Sequence, residues 1–229
     1  QKIFIRSSFE FGVRLPKIKP EELYDEYPPE LANRFFDTLT IQKGVSKLLI
    51  DFSTALLQIL FGIILLSFYH SFFILFGVFL IVLLYVIFKF SFNSGLNSSL
   101  KESKYKYKVV SWLQEIARNN FSFKKATNFD FALSKNNLLV SEYLTHREKH
   151  FNVIKRQYIQ LIIFKIIITA GLLFIGGYLV LNQKMNIGQF VAAEIIILLV
   201  INSVEKIIIG LETLYDVLTA VEKIGQITD

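Results

Sequence analysis

Few residues in this chain could do chemistry, and most of those are carboxylates set in apolar stretches. Glu194, Glu205, Glu212 and Asp216 fall within about 40° of one helical face at 100° per residue. Glu194 lies about 10 Å below the outer end of the apolar run that carries it, by helical rise. A carboxylate at that depth is costly enough to mark a functional position. Either Glu194 and Glu205 face a substrate pathway, or Glu194 makes a structural hydrogen bond to another helix or snorkels outward. Lys165 and Glu205 sit at similar depths, about 24 and 27 Å below the outer ends of consecutive apolar runs. Asp51 lies near the same level on an earlier run. A structural ion pair among Lys165, Glu205 and Asp51 is the expectation, with snorkelling of Lys165 as the alternative.

Other constellations are weaker. His146 and His150 stand four apart, a spacing that could hold a metal on a helix, but Arg147 occupies the place where the zinc protease pattern has Glu. The run 146–150 is highly charged, so it reads as a solvated face with no metal. No histidine is expected in a buried cleft, so no Ser/His/Asp set can be assembled. The chain has no cysteine, which removes disulfides and thiolate metal sites. It has no G-x-x-x-x-G-K-[ST] phosphate loop, so these residues alone neither bind nor hydrolyse ATP. Gly171, Gly176 and Gly177 read as points of close helix approach.

The elements that carry these residues are long and apolar. Of 229 residues, 53% are hydrophobic, with four prolines and eleven glycines and a mean hydropathy of +0.47. Four apolar runs, 48–68, 72–90, 158–181 and 187–209, each approach the roughly 20 residues a helix needs to cross a bilayer. Tight turns join the first to the second and the third to the fourth, while a long polar stretch, 91–157, separates the pairs. The net charge is +6, and its cations crowd into that stretch and into the N-terminal arm, leaving only Lys184 in the two turns. The positive-inside rule then puts both arms in the cytoplasm and both turns outside. It also accounts for the basic residues around Tyr105 and Tyr107 without nucleic acid. No signal peptide is seen, and the start at Gln1 reads as that of an excised fragment.

The arms carry helical periodicity. Tyr105, Val109, Trp112 and Ile116 share one face, as do Leu133, Val140, Leu144, Phe151 and Ile154. The last run continues through Leu211, Leu214, Leu218 and Val221, predicting one helix from 187 to about 224. The expected fold is all-α and membrane-embedded: four transmembrane helices in two hairpins with long cytoplasmic helical extensions.

This layout resembles the transmembrane domain of type I ABC exporters. Residues 20–37, PEELYDEYPPELANRFFD, are similar to that family's first cytoplasmic loop, with Pro29 in place of a glycine and Glu30, Leu31, Asn33 and Arg34 fitting its Gly-Glu-Leu-x-x-Arg-like segment. Residues 112–125 resemble the second loop, with Glu115 nine residues before Lys124 and Asn119-Asn120 where the family often has Gly-Ile. MNIGQFVAA, 185–193, resembles the last external turn, and LTAVEKIGQITD, 218–229, the linker before an ATPase domain.

The resemblance implies a partial six-span exporter fold lacking its first two spans and its ATPase domain. On that reading 19–47 is the second part of the first cytoplasmic loop, 48–90 the first hairpin, 91–157 the second loop, 158–209 the second hairpin and 210–229 the linker. It implies coupling helices at 21–27 and 119–123, with Tyr24, Tyr27, Asn119, Asn120, Phe121 and Phe123 against ATPase domains. ATP and Mg would bind in the ATPase domain, fused or separate, and the chain would work in a lipid bilayer as a homodimer or paired half-transporter. A multi-pass protein of the inner cell membrane of a bacterium is the expected setting. An integral membrane enzyme or a scaffold without transport is the alternative, and a substrate is not readable.

Overall fold

The computed structural model describes residues 2–18, 28–124 and 126–228. Among them the ordered elements are helical: α1 (Lys2–Arg14), α2 (Pro28–Asn33), α3 (Asp37–Tyr69), α4 (Phe72–Arg118), α5 (Asn120–Phe123), α6 (Ala126–Leu181) and α7 (Ile187–Thr228), with 3-10 turns at Leu15–Lys17 and Arg34–Phe36. Four of these helices are long and apolar enough to cross a membrane. Their 33, 47, 56 and 42 residues correspond to about 50–84 Å at 1.5 Å per residue, against a hydrocarbon core of about 30 Å. The helix starting at Ile187 runs to Thr228, slightly beyond the expected end.

Local chemistry sets the breaks. At the end of α6, Gln183 adopts a left-handed φ of 57°. The Lys184 and Gln183 amides donate to the carbonyls of Leu179 (2.9 Å) and Val180 (3.0 Å), the paired bonds of a Schellman ending. Asn186 then caps α7: its Oδ1 accepts from the Gln189 amide at 2.7 Å, and Gln189 Oε1 accepts from the Asn186 amide at 3.0 Å. This reciprocal pair is a capping box. At the other turn, the Phe72 amide donates to His70 Nδ1 at 3.1 Å.

The chain divides into two compact units. The span unit comprises 47–94 and 154–213. Its core is apolar throughout, including Ala55, Leu66, Phe73, Leu80, Leu161, Phe164, Ile168, Ala193, Val200 and Val204. Large apolar side chains also point outward, among them Leu56, Leu57, Leu60, Phe61 and Phe68 on α3. A helix apolar on both its packed and its outer faces suits lipid as its solvent. Gly210 lets α7 approach the Phe52 ring, where an added Cβ would stand 2.5 Å away.

The arm unit comprises 1–46, 95–153 and 214–229. It is knit by polar contacts and a small apolar cluster of Phe11, Leu31 and Ile227. Glu30 and Arg34 form a buried, two-pronged ion pair (2.9 and 3.1 Å), and Arg34 also donates to Gln226 Oε1 at 2.8 Å. The Glu-Leu-x-x-Arg segment thus clasps the end of α7. Of the two predicted apolar stripes, that of Tyr105, Val109, Trp112 and Ile116 is half-buried or buried. The other lies on α6 as a helical face, with Val140 and Ile154 half-buried and Leu133, Leu144 and Phe151 exposed. Periodicity identifies a face but not whether a neighbour covers it.

Candidate functional site

Two places gather the residues singled out by the sequence, one in each unit. In the span unit, Lys165 Nζ lies 2.8 Å from Glu205 Oε2, both side chains about one-third exposed. Asp51 does not join this pair and has no ion pair among the described residues. It lines a cleft of about 700 Å³ with Lys47, Gln58, Asn202, Glu205 and Lys206. Gln58 is anchored there by the Ser203 hydroxyl, which donates to its Oε1 at 2.7 Å. The cleft's polar positions on α3, 47, 51 and 58, repeat at four and seven, which puts them on one face. Glu194 is half-buried farther along α7, away from these residues in sequence.

In the arm unit, Asn119 ends α4 and begins α5. Its carbonyl accepts from the amides of Ser122 (2.9 Å) and Phe123 (3.2 Å). Trp112 organises the tip: its indole N–H donates to the Ala132 carbonyl at 3.2 Å, and its ring meets those of Phe123 and Phe131 edge-on. Lys135 Nζ stands 4.0 Å from the Trp112 ring centroid, a cation–π contact. Phe123 is therefore held inward, while Phe121 is 86% exposed, and Asn119 and Asn120 are exposed beside it. Tyr24 and Tyr27, with the rest of the expected foot at 21–27, lie outside the described residues.

The histidine expectation is corrected. His150 is only 2% exposed and its Nδ1 lies 2.8 Å from Ser98 Oγ, because the small side chains of α4 at this level admit an imidazole. Ser98 also donates to the Gly95 carbonyl at 2.9 Å. With the hydroxyl proton directed to the Gly95 carbonyl, the Nδ1–H tautomer of His150 completes the contact. His146 instead stacks on Tyr105 at 4.0 Å. Among the described residues no cluster of three or more His, Cys, Asp or Glu could hold a metal.

Sequence reasoning missed a part-buried pair in the arm unit. The Tyr107 hydroxyl donates to Asp37 Oδ2 at 2.6 Å. Burial pushes the Asp37 carboxyl above its ordinary 3.8, against the pull of the Tyr107 hydrogen bond and of Lys106, Lys223 and Arg34. Tyr107 is raised well above 10.0 by burial, then by its bond to Asp37 and that residue's charge. Tyr107 had been visible only as one aromatic among basic residues, and nothing local links it to a carboxylate 70 positions away.

The family model of the ABC transporter transmembrane region matches residues 28–120. No curated protein matches the chain significantly. The matched stretch runs from α2 through α3 and α4 to Asn120, and thus covers two of the four membrane-length helices together with the clasp around Arg34. Over that stretch, 93 of the 229 residues, the chain is similar to an ABC transporter transmembrane region.

Proposed function

We propose that the chain is the transmembrane part of an ATP-driven exporter with type I architecture. It would wall the substrate pathway and carry the motion of an ATPase domain into the spans. The observation that carries this reading is the family match over 28–120 in a chain whose long helices far exceed the bilayer core. Of a 56-residue helix, about 20 residues suffice to cross; the remainder can serve as a lever.

In this reading α5 is a coupling helix. Phe121, with Asn119 and Asn120, meets an ATPase domain, and Phe123 and Trp112 hold the tip rigid behind it. Exposed aromatic residues are frequent interface anchors. Tyr24 and Tyr27 belong to the corresponding first contact. ATP and Mg act in the ATPase domain, and two copies or paired halves complete the pathway in the cytoplasmic membrane, with the arms in the cytoplasm. Nucleotide binding shifts the inward- and outward-open forms only by its differential affinity for them. Glu194 is assigned to the pathway, while Glu205 is assigned to its inner end, held by Lys165.

The test is transport by the full-length protein in proteoliposomes with and without ATP, for the parent and for Phe121→Ala. Truncating an anchor costs about 2 kcal/mol, or about thirtyfold in docking. The variant should keep its fold and basal ATP hydrolysis but lose most ATP-driven transport. Transport that does not depend on ATP overturns the exporter reading. Unimpaired coupling in Phe121→Ala overturns the role of α5.

A further inference from the structure

The cleft beside Asp51 has a graded lining. Lys47 and Asp51 on α3 with Ile209 and Gly210 on α7 line one end, Lys206, Glu205 and Gln58 the middle, and Asn202 and Leu199 the other end. The order follows from the antiparallel register of the two helices, fixed by Phe52 at Gly210, Gln58 at Ser203 and Val200 at Gly62. From Lys206 to Leu199, and from Asp51 to Gln58, the helices rise about 10 Å. The charged end lies where the apolar run of α3 begins, and the uncharged end lies within that run. Ionic groups at the lipid boundary, amides next and an aliphatic wall deeper match the polarity profile of one leaflet.

The charges are also unbalanced. Glu205 is neutralised by Lys165 at 2.8 Å. Among the described residues Lys47, Lys206 and Asp51 have no ion-pair partner, which leaves two ammonium groups against one carboxylate. Both lysines are exposed and Asp51 is half-buried. At roughly 700 Å³ the cleft has the size of a small-molecule site.

We infer that this cleft binds an anionic amphiphile, its phosphate or similar head between Lys47 and Lys206 and its chain directed past Gln58 and Asn202 to Leu199. The amphiphile is cargo only if the transporter reading holds, but its binding does not depend on that reading. Lys47 and Lys206 supply charge-assisted hydrogen bonds to the head. Asp51 opposes it and disfavours heads carrying more than a single strong negative centre.

The experiment is a titration of the purified protein in uncharged maltoside micelles, without nucleotide, so that its failure is separate from a failure of transport. The probes are dioctanoyl phosphatidic acid, dioctanoylglycerol and inorganic phosphate. Dioctanoyl phosphatidic acid should bind saturably, and the other two should not compete at matched concentration. Lys206→Gln and Lys47→Gln should each weaken binding about tenfold, the scale of one hydrogen bond to a charged group. Lys206→Arg should retain it, Asp51→Asn should tighten it severalfold, and Lys155→Gln, outside the cleft, should leave it unchanged. Competition by inorganic phosphate alone would make this a free-anion site, and equal binding of dioctanoylglycerol a purely apolar one; either result overturns the inference. So does unchanged affinity in both lysine variants, or equal loss in Lys155→Gln.

Discussion

Asp37, beside Tyr107, shows how the desolvation of one carboxyl can write a pH dependence into the arm unit. Desolvation raises the Asp37 carboxyl above 3.8 although Tyr107 and three cations oppose the shift. A folded state that holds this proton more tightly than the unfolded chain is most favoured below 3.8. Its stability then falls as pH rises from 3.8 through the raised folded value, and is level above it. Asp37→Asn removes the ionisation while leaving an oxygen to accept the Tyr107 hydroxyl. Thermal unfolding in detergent should lose that acidic slope in the variant, with stability at neutral pH equal to or above the parent's. A slope that persists in Asp37→Asn would assign it to other groups. The sequence could not expose this pair, because the two partners lie on different helices and only tertiary packing brings them to 2.6 Å. Lys165 and Glu205 were legible for the opposite reason: charges are so rare within apolar runs that helical rise alone aligns them.

At the scale of the helix, small residues decide where neighbours can meet. A Cβ at Gly95 would enter the Tyr215 ring, whereas one at Gly177 would meet nothing within 4 Å. Gly95→Ala should therefore destabilise by about 1–3 kcal/mol through forced displacement of a fully buried tyrosine. Gly177→Ala should be neutral or stabilise by up to about 1 kcal/mol through helix propensity. Melting of the two variants in the same detergent checks both signs; equal effects would mean that neither glycine is set by packing. Of the three glycines the sequence marked on α6, a Cβ added at Gly176 would stand 2.5 Å from the Phe190 ring and one at Gly171 3.3 Å from the Phe76 ring, but Gly177 is open. The long helices and the turns between them were legible because unbroken apolar runs are local signals. The burial of His150, and the exposure of Leu133, Leu144 and Phe151, were not, since both depend on which helix lies opposite.

Taken as a whole, the chain makes a claim about sidedness that its charges state and that labelling can judge. Lysine and arginine crowd 91–157 and the first 47 residues, while the two short turns between apolar runs contain only Lys184. Moving such a charge across the hydrocarbon core costs several kcal/mol, so the sparsely charged turns are the segments to be carried across. The helices end at those turns, at Tyr69 and Leu181, which leaves His70 and Lys184 at their tips. Because the chain lacks cysteine, His70→Cys, Lys184→Cys and Lys124→Cys each introduce a unique thiol. An impermeant maleimide added to intact cells should label the first two and spare the third. In inside-out vesicles Lys124→Cys alone should react. The exposure of Lys184 and Lys124 means that a failure to label reflects the side of the membrane and not burial. Labelling of Lys124→Cys from outside would reverse the orientation, and with it the placement of α5 against a cytoplasmic ATPase domain. Labelling of His70→Cys and Lys184→Cys from opposite sides would break the two-hairpin arrangement itself.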